Sequence, residues 1–460
     1  MLGVAAIVFS LVLLMAIAYR GLPVIVFAPI CAAAALALSG VPILPGYTDS
    51  FMNGAADYVR AFFPVFLLGA IFGKLMEAGG AAASIARAIV RAFGSRRAIP
   101  AVVLACAVLT YGGVSLFVVA FAVYPFGAAL FKAAGIPKRL LPGAIALGAF
   151  TLTMDALPGS PQIQNLIPTR TFGTDAYAAP VLGCLGGAVI LIGGLIWLDR
   201  RRASAASAGE GYGAGHANEP EPKPDLDLPS LPVAVLPLLL VLAANFVASR
   251  TSWSIAGWYS EDVLRSTFPT INVRTASPTW ALITALGIGI TATLALNARR
   301  LRGSLTVSLT AATSGALLAI FNTASEVGYG SVIKTLPGFQ VIRNGVLGLS
   351  QSVLISEAVA VNILSGITGS ASGGLSIALE VMGAHYLEAA KAQGISPEWL
   401  HRIASMASGG MDTLPHNGAV ITLLAITGLT HRQSYPDIFA ITLLKTSTVF
   451  ALAAAATAWA

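Results

Sequence analysis

The chain has 460 residues, of which 56% are hydrophobic and only 10% are charged, and its mean hydropathy is +0.80. This composition excludes a soluble globular domain and predicts an all-α polytopic membrane protein. The net charge of +7 does not indicate a nucleic-acid partner, because the basic residues form short clusters at the ends of apolar runs, which is typical of cytoplasmic membrane flanks.

Apolar runs that are long enough to cross the hydrocarbon layer, about 20 residues each, occur along the whole chain. They begin near Leu2, Leu22, Ala61, Ala178, Leu231, Thr279, Ser304, Ile403 and Pro436. The first run has no basic stretch before it and no cleavage-like segment after it, so we expect a retained helix rather than a signal peptide. If the basic clusters are all cytoplasmic, both termini lie outside.

Two further apolar runs are too long for one helix and are interrupted by glycine. Residues 100–131 have basic flanks at both ends and are interrupted at Tyr111, Gly112 and Gly113. Residues 346–387 are interrupted between Gly366 and Gly374. Both runs predict re-entrant hairpins, the first opening to the cytoplasm and the second to the outside, since irregular backbone at membrane depth needs protein or a wet cavity around it.

One motif occurs twice, as TMDALPGSPQ around Asp155 and as GMDTLPHNGA around Asp412. An acid followed by a helix-breaking proline in apolar surroundings predicts broken spans, at about 141–170 and 403–425, that contain a transporter's binding site. Each half then has three spans, a hairpin, a broken span and a closing span. The halves start on opposite sides of the membrane, so residues 1–198 and 231–460 are predicted to be inverted repeats.

The halves are joined by residues 199–230, where arginines are followed by alanine, serine and glycine and then by EPEPKPDLDLP. A segment of this composition cannot bury enough apolar surface to fold alone. We expect a cytoplasmic linker that acts as a plain tether.

Ionisable side chains inside a membrane are rare unless they face a cavity or a partner. On this ground the candidates for cation coupling, with protons preferred and sodium as the alternative, are Asp155, Asp412, His416, Glu77 and Glu326. The aspartates have an alternative role as caps of the following half-helices. Glu77 and Glu326, which occupy the same place in the two halves, have the alternative of facing the membrane interface.

Half-helix amino termini beside the breaks favour an anion, and hydroxyl, amide and glycine positions around them favour a small hydroxylated acid. The predicted substrate-binding residues are Ser115, Gly159, Ser160, Gln162, Ser370, Ser372, Ser376, His416, Asn417 and Gly418. Small residues in membrane helices also serve close helix packing, which is the alternative for each serine. The three cysteines have no metal-like spacing, and no metal or cofactor is predicted.

The strings GAIFGKLMEAGGAAASIARAIV, DALPGSPQ and GGMDTLPHNGAVITLL resemble the gluconate permease family, within the wider ion transporter superfamily. The resemblance implies cation-coupled, usually proton-coupled, import of an organic acid anion across the bacterial inner membrane. It also implies a homodimer in which a transport domain moves against a scaffold, as in an elevator. The LPHNGAV continuation is more similar to members taken to be 3-hydroxybutyrate permeases, so D-3-hydroxybutyrate is the preferred substrate and gluconate or another sugar acid the next.

Two other classes of function stay open. A membrane-embedded hydrolase would use serine, histidine and aspartate, but no GxSxG or HExxH string is present. An anion channel could use the same fold, and only strictly downhill flux would favour it.

Overall fold

A computed structural model describes residues 2–20, 22–220, 228–269, 271–347, 350–415 and 417–459. Regular structure in these ranges is helical. The first half contains α1 (Leu2–Tyr19), α2 (Val24–Leu38), α3 (Ile43–Pro45), α4 (Met52–Ala78), α5 (Ala81–Phe93), α6 (Ala98–Tyr111), α7 (Leu116–Ala133), α8 (Leu141–Ala149), α9 (Leu152–Asp155), α10 (Ile167–Phe172) and α11 (Pro180–Ser207).

The second half also contains long helices, an amphipathic helix, a pair of helices with a short tip and an interrupted span. It contains α12 (Leu231–Arg250), α13 (Glu261–Thr267), α14 (Val273–Leu301), α15 (Leu305–Thr335), α16 (Phe339–Leu347), α17 (Val353–Thr368), α18 (Ala371–Ala392), α19 (Pro397–Ser408), α20 (Gly418–Thr427) and α21 (His431–Trp459). The duplication and the inverted orientation of the halves stay predictions.

Six helices in the described part of the chain are long and apolar enough to cross a membrane by themselves. One of them corrects the sequence analysis, because the span expected from Ala61 starts at Ile43. A π-helical segment, Gly46–Phe51, joins α3 to α4 without a break, and Pro45 is tolerated because it lies in the first helical turn. The resulting helix packs along α15, so the long helices of the two halves form a common support.

The two hairpins are present as pairs of helices with short tips, α6 with α7 and α17 with α18. The second tip is shorter than the sequence indicated, since only residues 369 and 370 lie outside the helices. Gly366 and Gly374 are helical, and a Cβ on Gly374 would lie 2.1 Å from the backbone nitrogen of Ser365. Glycine is therefore needed here for close packing of α17 against α18, and not for unwinding.

Both broken spans are interrupted at the predicted motifs. The first consists of α8, the short α9, an irregular segment and α10, while the second consists of α19, a 3-10 turn at Met411–Thr413 and α20. The second begins at Pro397, earlier than the expected 403, because Ser396 caps the helix and accepts a hydrogen bond from the Glu398 nitrogen at 3.2 Å.

The linker is more than a tether, which corrects the sequence-based expectation. The Lys138 side chain, which is fully buried, forms an ion pair with Glu219 at 2.8 Å and donates to the Ala217 carbonyl at 3.0 Å. The amide of Asn218 donates to the Ala425 carbonyl at 2.8 Å. A sequence too polar to fold alone gains order here by covering a buried lysine and the end of α20.

The linker also contacts the remainder of the molecule at its far end. Ser84 on α5 donates to the Pro229 carbonyl at 2.7 Å. Arg139 binds Glu210 through two hydrogen bonds of 2.8 Å, and these bonds lower the pKa of the Glu210 carboxyl. The described parts of the linker thus connect α5 with the ends of the first hairpin and of both broken spans.

We expect Glu219→Gln to loosen the docked segment 208–220, because Lys138 would lose its counter-charge while staying covered by protein. Hydrogen exchange of this segment should become faster, whereas Asp199→Asn, which removes an exposed pair with Arg202, should leave it unchanged. Acidification should act in the same direction, because the depressed pKa of Glu210 gives docking a stabilising contribution that is lost as pH falls through that pKa. Unchanged exchange in Glu219→Gln would contradict the docked arrangement.

Candidate substrate site

The two breaks meet at an ion pair that the chain buries completely. Asp155, at the end of α9, forms this pair through Oδ2 with Nζ of Lys445 on α21, and both side chains are at most 1% exposed. The lysine also donates to the Phe150 carbonyl at 3.3 Å. The second carboxylate oxygen, Oδ1 of Asp155, has no hydrogen-bond partner among the described residues.

Glycine at the end of α19 makes this meeting possible. A Cβ on Gly409 would lie 2.0 Å from Nζ of Lys445 and 2.1 Å from Oδ2 of Asp155, so any larger residue would enter the ion pair. Asp412 follows three residues later, is 6% exposed and interacts electrostatically with both Lys445 and Asp155. Its Oδ1 also has no partner in the described part of the chain. The two predicted aspartates therefore share the field of one lysine.

A buried arginine, Arg402, connects the two breaks by hydrogen bonds. Arg402 on α19 donates to the carbonyls of Asp155 at 3.1 Å, Ala176 at 3.2 Å and Ala178 at 2.7 Å. It also donates to Oδ1 of Asn165 at 2.9 Å. The three carbonyls lie at the end of α9 and in the irregular backbone before α11, where carbonyls lack helical partners. One guanidinium from the second half therefore supplies several of the hydrogen bonds that the first break needs.

A cavity of about 530 Å³ adjoins the second break. It is lined mainly by apolar side chains of α17, the break and α21, with Asn362 and Thr446 as its polar members. Asn362 donates to the Ala407 carbonyl at 2.9 Å, while its Oδ1 and the Thr446 hydroxyl lack partners among the described residues. The volume is suitable for a small ligand, and the unpartnered polar groups provide a few fixed contacts.

The predicted substrate residues of the first break have local hydrogen-bond roles. Ser160 donates to the Thr153 carbonyl at 2.6 Å, and Gln162 donates to the Thr110 carbonyl at 2.8 Å at the tip of the first hairpin. Gly159 has a φ of +78°, and a Cβ there would lie 2.4 Å from the ring of Tyr177. Ser115 is the residue before α7 and faces Gly73 on α4.

The second break is built in a parallel way. Asn417 caps α20 by accepting from the nitrogens of Ala419 and Val420 at 2.6 and 3.1 Å, and it donates to the Gly369 carbonyl at 2.7 Å. Gly418 is the first residue of α20. Asp412 is thus not the cap of this half-helix, which removes that alternative. The candidate His416 lies outside the described residues.

The remaining candidates lie in two other places. Ser370, Ser372 and Ser376 lie at the second hairpin tip together with Glu326 of α15, which is 2% exposed. Glu77 is half-buried near the end of α4 and pairs with Lys74 at 3.0 Å. Glu77 and Glu326 therefore differ in environment, although they occupy the same place in the predicted repeats.

The sequence reasoning did not include Arg402 or Lys445. Both carried a usable signal, since each is a basic residue within or directly beside an apolar run, and intramembrane charge is a default indication of function. Arg402 directly precedes the apolar run that begins at Ile403, and Lys445 lies inside the run that begins at Pro436.

Comparison with known proteins gives consistent matches. The model of the GntP family permeases matches residues 1–324. The uncharacterized transporter YxjC of Bacillus subtilis is 51% identical over 459 residues, which cover 97% of each chain. Two solved structures have a similar fold at low sequence identity.

The YdaH transporter of Alcanivorax borkumensis is 17% identical with a TM-score of 0.55, over 89% of this chain and 87% of that one. MtrF of Neisseria gonorrhoeae, described with a class of antimetabolite efflux pumps, is 15% identical with a TM-score of 0.53, over 88% and 83%. At these identities the likeness concerns the fold alone.

We expect Asp155→Asn and Lys445→Met each to destabilise the protein, by up to about 3–5 kcal/mol, because each leaves a buried charge without its direct partner. Lys445→Met should cost more, since it leaves both aspartates without the lysine, whereas in Asp155→Asn the lysine keeps the nearby Asp412. The double variant should regain part of the stability lost in Lys445→Met, since only Asp412 then lacks a counter-charge. Melting temperatures in detergent would measure this, with Lys74→Met as a control for a half-buried pair. A double variant no more stable than the less stable single variant would show that the pairing is not the relevant contact.

Proposed function

This chain belongs to the GntP permease family, and we propose that it is a secondary active symporter that imports a small hydroxy monocarboxylate together with protons. Family membership makes the chain a multi-pass membrane transporter and not an enzyme, so the membrane-hydrolase alternative is withdrawn. The observation that carries the proposal is the buried ion pair of Asp155 with Lys445 between the two breaks, with the buried Asp412 three residues after Gly409, which lies against that pair.

The charge balance of this site supports coupling. When both aspartates are ionised, their two negative charges offset those of Lys445 and of Arg402, which lies on the Asp155 carbonyl, so the site has no net charge to attract a carboxylate. A proton on either aspartate leaves the site with a net positive charge that can attract the substrate anion. Proton and anion then raise each other's affinity, which is the reciprocal linkage that symport requires.

The groups proposed for coupling are Asp155 and Asp412 first, and His416 keeps the same proposed role. Glu77 is the weakest candidate, because its partner is Lys74 at the end of a helix. Sodium coordinated by carbonyls of the breaks is the alternative coupling ion. Protons are favoured because Arg402 already occupies several of those carbonyls in the first break.

The preferred substrate is D-3-hydroxybutyrate. The cavity beside the second break has mainly apolar walls and two polar groups without partners, which is suitable for a short aliphatic acid with one hydroxyl. Gluconate is the alternative, and each of its hydroxyls would need a donor or acceptor that an apolar wall does not provide.

The movement proposed is of the elevator type, in a homodimer in the bacterial inner membrane with both termini outside. The two hairpins and the two broken spans would form the moving unit. The ties that support this unit are Arg402 between the breaks, Gln162 to the first hairpin tip and Asn417 to the second.

Purified protein in sealed vesicles would test the transport function. We expect labelled 3-hydroxybutyrate to accumulate under an inward proton gradient, with little competition from gluconate and no requirement for sodium. Strong competition by gluconate would assign a sugar acid as the substrate. A requirement for sodium would identify sodium, and not the proton, as the coupling ion. Strictly downhill flux would indicate a channel.

Asp412→Asn should abolish accumulation against a gradient, because the amide cannot exchange a proton, while the protein stays folded. The matched control is Asp57→Asn, at an exposed aspartate that pairs with Arg60 and has no proposed role in coupling. We expect this control to retain roughly half of the uptake rate or more. Normal accumulation by a folded Asp412→Asn protein would remove Asp412 from coupling.

A further inference from the structure

The second hairpin tip packs against an acid, Glu326, that forms no ion pair with the residues that the structure describes. The carboxyl of Glu326 on α15 lies directly on the first turn of α18, since a Cβ on Gly373 would be 1.6 Å from Oε2 and 2.7 Å from Oε1. Oε2 is buried and has no hydrogen-bond partner in the described part of the chain. We propose that Glu326 is a proton-binding site that controls the second hairpin, which docks when the carboxyl is protonated and opens when it ionises.

Hydroxyl groups surround this carboxyl. Thr323 lies 3.4 Å from Ser372, which lies 3.4 Å from Ser370. The hydroxyls of Tyr58 and Ser376 face each other beside Glu326, yet neither has a partner with hydrogen-bond geometry. Thr323, Ser370 and Ser372 are partnered among themselves and with backbone, so Tyr58 and Ser376 are the hydroxyls left to bind the carboxyl. A polar cluster of this kind can hold a neutral carboxyl and exchange its proton, whereas apolar packing would exclude both.

The charged groups on neighbouring elements are paired elsewhere. On α4, Asp57 pairs with Arg60 at 2.9 Å, and both are exposed. On α18, Glu380 pairs with Lys334 at 2.9 Å.

Other titratable groups on the elements around α15 also have their own contacts. Asp49, before α4, accepts from Asn53 at 3.0 Å, and Arg170 on α10 lies over the Phe62 ring. His385 on α18 contacts Arg343 of α16 at 3.1 Å. Cys31 on α2 is a buried thiol, and Tyr58 is the titratable group that faces Glu326 directly.

The coupling between charge and movement follows from desolvation. An ionised Glu326 would be a buried anion without a counter-ion, which is strongly disfavoured while the hairpin covers it. Ionisation becomes favourable once the tip moves away and water reaches the carboxyl. Loss of the proton and opening of the hairpin therefore favour each other, as linked equilibria must.

This inference deepens the proposed function and rests on it only for its role in transport. The Glu326 site is separate from the anion site, because α17 lies between them. Ser365 of α17 packs against Gly374 of the tip, while Asn362 of α17 reaches the Ala407 carbonyl beside the second break. A proton at Glu326 would thus act on access to the site, and protons at the aspartates would act on affinity.

Hydrogen exchange of segment 366–376 as a function of pH tests the hairpin without any substrate. In the wild-type protein, opening requires the loss of one proton. Exchange corrected for its intrinsic pH dependence should therefore rise by about tenfold for each pH unit below the transition. In Glu326→Gln it should stay slow and independent of pH. Glu380→Gln is the matched control, since Glu380 lies on α18, the helix that follows the tip, and pairs with Lys334 of α15; it should behave as the wild type does.

A second variant keeps the test decisive if Glu326→Gln does not fold. Gly373→Ala places a methyl group where the carboxyl lies, so it should turn Glu326 away and give fast exchange with little pH dependence. Wild-type exchange without pH dependence after correction would overturn the proposal, and so would a Glu326→Gln protein that retains the wild-type dependence. Vesicle uptake is measured separately, so failure of the transport assignment would be distinguishable from failure of the hairpin.

Discussion

Backbone polar groups inside a membrane have no water to bind, and this constraint governs the whole structure. Each break of a spanning helix exposes carbonyls and N–H groups at a depth where an unpaired group costs several kcal/mol. The protein satisfies them with side chains from elsewhere in the chain. Arg402 donates hydrogen bonds to the carbonyls near the first break, and Asn417 caps the half-helix after the second.

The side chains that satisfy the interrupted backbone also explain why the site can carry charge. Arg402 and Lys445 are needed to satisfy the breaks, and each brings a positive charge into the interior. Asp155 balances the lysine through a direct ion pair. Such a buried pair adds little net stability compared with apolar packing, but it leaves a local balance that one proton or one anion can alter. A transporter can use that balance, whereas a purely structural core would gain nothing from it.

Much of this arrangement is readable from the sequence, because glycine, proline and isolated acids have strong local meaning. The Asp-x-Leu-Pro motifs predicted both interruptions, and Gly112 and Gly113 predicted the first hairpin tip. The sequence does not show which face of each helix packs against a neighbouring helix, since this depends on contacts between segments hundreds of residues apart. For this reason the pairing of Asp155 with Lys445, the role of Arg402 and the difference between Glu77 and Glu326 became visible only in the structure.

The linker is a second place where long-range contacts could not be predicted from the sequence. Its composition correctly indicates that it cannot fold alone, but composition does not report a docking partner. Lys138, which precedes the first broken span, is buried under linker residues and needs Glu219. The described part of the linker therefore connects the start of the first broken span with the end of the second, because Lys138 directly precedes α8 and Ala425 lies near the end of α20. At Pro229 the linker also accepts a hydrogen bond from Ser84 on α5, so three parts of the protein depend on contacts that the linker's composition does not reveal.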